Sequence, residues 1–191
     1  NETFVGRTQC ATGIVTVAGG AAYLTRSTAS GGGSVYLGDG SNAVGRLTVQ
    51  DDGRFACGGV LKLGSGPYAT GVMTVKDRGR VTCGLKTGNW LTLATGAGSA
   101  FGRLEMADDA VLTLGDGACV EMTYGSAAAR ADIALAGRAR LEGGQWSYVT
   151  NKCPTAGAAS ISLADEVTWS SDLRATNSAG FGGIGPAINM S

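Results

Sequence analysis

Val35-Tyr36-Leu37-Gly38, Arg46-Leu47-Thr48-Val49 and Gly53-Arg54-Phe55-Ala56-Cys57-Gly58 are three phrases that this chain goes on to repeat. They return as Leu61-Lys62-Leu63-Gly64, Val72-Met73-Thr74-Val75 and Gly79-Arg80-Val81-Thr82-Cys83-Gly84. They return again as Leu91-Thr92-Leu93, Arg103-Leu104-Glu105-Met106 and Val111-Leu112-Thr113-Leu114-Gly115. Self-similarity at this period marks a solenoid, a propeller or an array. Inside each phrase apolar residues alternate with small or polar ones, the period-2 pattern of a strand with one buried face. No segment carries the stripe of an amphipathic helix.

The phrases align into columns. Inward pairs of the first strand are expected at Thr3/Val5, Val35/Leu37, Leu61/Leu63, Leu91/Leu93, Val120/Met122 and Trp146/Tyr148. Those of the second fall at Val15/Val17, Leu47/Val49, Met73/Val75, Leu104/Met106, Ile133/Leu135 and Ile161/Leu163. Those of the third fall at Ala22/Leu24, Phe55/Cys57, Val81/Cys83, Leu112/Leu114, Ala139/Leu141 and Val167/Trp169. Equivalent positions in the first two strands recur every 26 to 32 residues, too short for a four-stranded propeller blade. The expected fold is therefore all-β: a single-domain parallel β-solenoid over residues 1–176, about six turns of three short strands. At roughly 4.8 Å per turn, six turns make a rod of about 29 Å. The spacing from second to third strand is even in five turns, but Val17 to Leu24 is 7, so the first turn breaks the pattern.

Composition narrows the function classes. The chain has 191 residues with 33 Gly, 3 Pro and no His, and Lys plus Arg equals Asp plus Glu at 15 each. So much Gly without a collagen period suits many tight corners. Balanced charge steers the chain toward neither nucleic acid nor acidic membrane, and it lowers the barrier to self-association. No apolar run is long enough to span a bilayer. The chain starts at Asn1, as a secreted product whose leader has been removed would, so a secreted or cell-surface location is expected.

The stretch from Leu47-Thr48-Val49 through Gly58-Gly59-Val60-Leu61-Lys62-Leu63-Gly64 resembles the Gly-rich repeats of bacterial autotransporter passengers and related sorted surface proteins. The resemblance covers most of the chain as a cadence. It implies a secreted or cell-surface β-helix and carries no active site. Such passengers mostly avoid cysteine, whereas this chain has 5.

The ends hold the candidate interface. Open strand edges at a solenoid's ends are normally capped or charged. Here Thr3-Phe4-Val5 already belongs to the repeat, and the late turns hold Trp146 and Trp169. A non-repetitive Gly-rich tail, 177–191, carries Phe181, Ile184 and Ile188 and either caps the end or docks on a neighbouring copy. Cys10 lies five residues after Val5 and Cys153 five after Tyr148, which suggests a shared column in the first and last turns. Head-to-tail stacking would then bring Cys153 of one copy beside Cys10 of the next, as an intersubunit disulfide or as two surface thiols. Cys57 and Cys83 share an inward column and read as small core residues.

Catalytic chemistry is sparse. Without His there is no Ser-His-Asp or Cys-His arrangement, and the cysteines never fall as C-x-x-C, so no catalytic, metal or cofactor site is expected. Gly38-Asp39-Gly40 resembles a calcium-loading turn, but the next turn has Ser65 in place of Asp39. Asp51-Asp52, Asp77 and Asp108-Asp109 are ordinary turn residues, though polysaccharide-cleaving β-helices carry acidic clusters on their faces. Thr48 and Thr74 begin an outward Thr ladder of the ice-binding kind, which Glu105, Ala134 and Ser162 break. The expected function is a secreted structural subunit, not an enzyme, that polymerises end to end into an extracellular filament or surface layer. Its partners would be copies of itself, with cell-surface or polysaccharide ligands as further candidates. An adhesin or passenger fragment is the second reading, and a polysaccharide-active enzyme the third.

Overall fold

The computed structural model describes residues 2–25, 33–84, 90–123, 126–144, 148–151, 159–170 and 172–175. The chain winds as a parallel β-solenoid whose turns each contribute one strand to each of three parallel sheets. The first sheet stacks β1 (Thr3–Val5), β4 (Val35–Leu37), β7 (Leu61–Leu63), β10 (Trp90–Leu93), β13 (Cys119–Met122), β16 (Tyr148–Asn151) and β19 (Asp172–Ala175). The second stacks β2 (Thr12–Val17), β5 (Val44–Val49), β8 (Thr70–Val75), β11 (Phe101–Met106), β14 (Arg130–Leu135) and β17 (Ala159–Leu163). The third stacks β3 (Ala22–Thr25), β6 (Arg54–Cys57), β9 (Arg80–Cys83), β12 (Val111–Leu114), β15 (Arg140–Gly143) and β18 (Thr168–Ser170). Six turns are thus complete, and β19 opens a seventh.

Alternation puts every second side chain inside. Leu37, Leu63, Leu93 and Met122 form one buried column, Leu47, Met73, Leu104, Ile133 and Ile161 another, and Phe55, Val81, Leu112, Leu141 and Trp169 a third. Each such side chain stabilises the fold by about 1.5–3 kcal/mol through burial.

The ladder corrects three expected registers. In the first turn Tyr23 pairs with Phe55 and Thr25 with Cys57, so Tyr23 and Thr25 take the inward columns and Leu24 points out. In the fifth turn Leu141 pairs with Leu112 and not with Leu114, two residues from the expected alignment; Trp169 pairs with Leu141 as expected, so in both turns it is this residue that continues the Phe55 column. In the sixth turn Val149 pairs with Val120 and is buried, and Tyr148 pairs with Cys119, so the inward register falls on Val149 and not on Tyr148; Trp146 lies outside the described residues. With these corrections the second corner is constant: Val17 to Tyr23, Val49 to Phe55, Val75 to Val81, Met106 to Leu112, Leu135 to Leu141 and Leu163 to Trp169 are each 6 residues. The third corner absorbs the variation in repeat length, with 10 residues from Thr25 to Val35 but 4 from Cys57 to Leu61.

The constant corner has a fixed backbone. Gly19, Asp51, Asp77, Asp108, Gly137 and Asp165 all have positive φ, between 55° and 69°, and all sit two residues after the last inward residue of the second sheet. Gly and Asp are among the residues that enter this region at least cost. Where the second strand begins, a different constraint acts. A Cβ on Gly45 would collide with the backbone of Gly38, Val5 and Leu37, and one on Gly71 with Gly64, Leu37 and Leu63.

Candidate functional site

The first turn differs from those behind it. Its strands read TFV, TGIVTV and AYLT and carry no charged residue. They also form the outermost row of all three sheets. Val15 and Tyr23, in inward columns that are sealed in later turns, are only half-buried here. Ile14 is 68% exposed and Leu24 59% exposed on the outer faces of the same turn. Natural edges are usually blunted by Lys, Pro or a bulge, and these three strands contain neither Lys nor Pro.

Local contacts hold this end in shape. Tyr23 stacks on Phe55 with ring centroids 5.6 Å apart, and its hydroxyl lies 2.9 Å from Thr3 Oγ1. Outside the first sheet, Phe4 stacks on Tyr36 at 4.8 Å, with the Arg7 guanidinium 4.0 Å from the Phe4 centroid and Lys62 Nζ 5.3 Å from that of Tyr36. The two rings lie face to face between two cations, so their faces are already occupied. Tyr36 also donates to Glu2 Oε1 at 3.0 Å; burial and that carboxylate raise its phenol pKa.

Of the expected interface residues, Thr3, Phe4, Val5 and Cys10 all lie on this first turn. Val5 is buried, and Cys10 is exposed at a left-handed corner position shared with Asn42, Tyr68 and Gly98. Trp169 is 2% exposed, held in the inward column of the third sheet instead of presented on the end. Cys153, Trp146, Phe181, Ile184 and Ile188 lie outside the described residues. The partner of Met122 is Asn151, so Cys153 falls two residues after the column in which Cys10 falls five after Val5.

A feature that the sequence reading passed over runs along the second corner. Three residues after the last inward residue of the second sheet come Asp52, Arg78, Asp109, Arg138 and Glu166, alternating in sign from turn to turn. Arg78 donates Nε and Nη2 to Asp52 at 2.8 and 2.8 Å, and Arg138 does the same to Asp109 at 2.7 and 2.8 Å. The bound guanidiniums hold the Asp52 and Asp109 carboxyls below the usual carboxylate range. These carboxylates are placed as ion-pair acceptors, opposite in character to a proton donor with a raised pKa. Asp39, in the calcium-like turn, accepts from Ser65 Oγ at 2.8 Å. Among the described residues no group of three or more His, Cys, Asp or Glu is placed to hold a metal ion, and no helix is long and apolar enough to cross a membrane. A shallow trough of about 390 Å³ on the second sheet is lined by Ala107, Ala134, Ala136 and Ala164, with Thr74, Glu105 and Ser162 among its polar members.

Fold and ladders together define a parallel β-solenoid repeat protein. Comparison with family models, curated proteins and solved structures found no match to the chain.

Proposed function

We propose that this chain is a structural β-solenoid subunit of the cell exterior that self-associates end to end, with the first turn as the receiving end. The observation that carries the reading is the uncharged, unblunted edge of β1, β2 and β3, with Tyr23 and Val15 half-exposed at its centre. Three in-register parallel edges offer backbone donors and acceptors to another solenoid turn, and apolar columns then continue across the joint. The exterior placement is supported by the cadence shared with Gly-rich autotransporter passengers and by the low, balanced charge.

Light scattering after size exclusion, with negative-stain microscopy of the same sample, tests it. The wild-type chain is expected to form oligomers or short fibres that grow with concentration. The double variant Ile14→Lys, Leu24→Lys should be monomeric, since both side chains are exposed and the changes leave the core intact. A wild-type chain that stays monomeric at all concentrations overturns the reading.

One observation bears on a second reading, an adhesin or autotransporter passenger fragment acting as a binding module. In two inward columns the last turn is the better covered, with Ile161 and Trp169 buried and Val15 and Tyr23 half-buried, while in the neighbouring column Val17 is buried and Leu163 half-buried. A strictly monomeric wild-type chain would favour it.

A further inference from the structure

One inward column of the third sheet is unlike its neighbour. It reads Thr25, Cys57, Cys83, Leu114, a hydroxyl and two thiols before the first aliphatic side chain, where the column beside it holds Tyr23, Phe55, Val81 and Leu112. Cys57 and Cys83 are register partners on β6 and β9, adjacent parallel strands, and both belong to the buried core. Register partners on neighbouring strands lie about 4.8 Å apart. A disulfide needs a Cα separation of about 4.4–6.8 Å and Cβ atoms that do not point apart. Both conditions are met. Of the other described cysteines, Cys119 has Trp90 and Tyr148 as its register neighbours and Cys10 lies on the corner before β2, so neither faces a cysteine in register.

The surroundings permit the closing movement. Parallel inward side chains leave the two Cβ atoms farther apart than the roughly 3.8 Å usual in a disulfide, so the two turns must draw together slightly here. Gly58 and Gly84 follow the two cysteines, and glycine takes up such a backbone shift at least cost. Cys57 Sγ gives up only weak bonds, to Gly33 O at 3.3 Å and to Gly59 O at 3.5 Å.

We propose that Cys57 and Cys83 form a cross-turn disulfide site, closed while the chain folds in the presence of a small-molecule disulfide such as oxidised glutathione. The thiolate of one cysteine attacks that disulfide, forming a mixed disulfide and releasing one small thiol. The thiolate of the other attacks the protein sulfur of the mixed disulfide and releases the second small thiol. Two protein thiols are oxidised, one small disulfide is reduced, and the two protons end on the released thiols. Once the turns have closed, burial keeps both cysteines protonated and out of reach of the reagent, so the bond must form before then. It ties the second turn to the third, next to the exposed first turn. The inference stands on the register of two strands and is independent of end-to-end association.

Refolding of the full chain from denaturant in a mixture of reduced and oxidised glutathione, followed by alkylation and non-reducing tryptic mapping, tests it. Cleavage after Arg54, Lys62, Arg80 and Lys86 puts the two cysteines on separate peptides, 55–62 and 81–86. In the monomer fraction these peptides should be recovered joined, whereas chain refolded with reductant alone should give both alkylated. The unfolding equilibrium of the oxidised chain should lie on the order of a hundredfold further toward the native state than that of the reduced chain. Cys83→Ala should lose that difference. Recovery of the two cysteines as free thiols, as glutathione adducts or joined to other cysteines overturns the inference, as does a stability gain that persists in Cys83→Ala. Should the chain not refold, the same map on chain secreted into an oxidising bacterial periplasm decides, with the same joined or unjoined peptides as the outcomes.

Discussion

Tyr23 lies flat on Phe55, the two rings 3° from parallel, and it is the outermost member of an inward column that continues through Val81, Leu112, Leu141 and Trp169. One face of its ring is against the core and the other is turned to the open end. The position is therefore a core site in geometry but only half a core site in energy.

Truncation of the two rings should separate these roles. Phe55→Ala, fully inside, is expected to cost about 3–5 kcal/mol in urea unfolding. Tyr23→Ala should cost about half that or less, because its outer face loses no burial. Equal losses would mean that the first turn is already covered in solution.

The glycine positions predict a second contrast. Gly71→Ala drives a Cβ into the backbone of the neighbouring strand, so a loss of about 1–3 kcal/mol or more is expected. Gly19→Asp should be nearly neutral despite a φ of 60°, because nothing lies within 4 Å of its Cβ and Asp occupies the same corner in four other turns. Chemical denaturation of the two variants checks both.

The corner ladder predicts a pH dependence. Asp52 and Asp109 have folded-state pKa values below their ordinary ones, so the stability they add is full above about pH 4–5 and is lost as pH falls through the folded values. Arg138→Gln releases Asp109 and should flatten part of the acid limb of a melting-temperature profile, with little change at neutral pH in high salt. An unaltered acid limb would show that the pair adds nothing.

The core thiols should be silent in the native state. Burial raises the Cys57 pKa and puts that of Cys83 well above its ordinary value, so neither offers thiolate near neutral pH. A disulfide-exchange reagent at pH 8 should modify Cys10 at once and Cys57 and Cys83 only at the unfolding rate. Fast reaction of Cys83 would contradict a dry core.

Much of the architecture was legible in particular residues. The alternation in Leu61-Lys62-Leu63 and Val72-Met73-Thr74-Val75 assigns strand and inward face together, because side chains in an extended chain point to opposite sides. The alternating Asp52, Arg78, Asp109, Arg138, Glu166 series was equally legible, at a constant three residues after the second strand, but only once the turns were aligned at that corner. Reading each acidic pair separately, as turn chemistry, hid it.

The sequence by itself determined the β-solenoid, its three strands per turn and the columns of its middle turns, because a period-2 pattern repeated at near-constant spacing has few other ways to bury its apolar face. Only the tertiary structure decided the registers at the two ends. A slip of two residues keeps every inward side chain inward, so alternation could not tell Leu141 opposite Leu112 from Leu141 opposite Leu114. The invariant six-residue corner, with its left-handed second position, selects the pairing that forms.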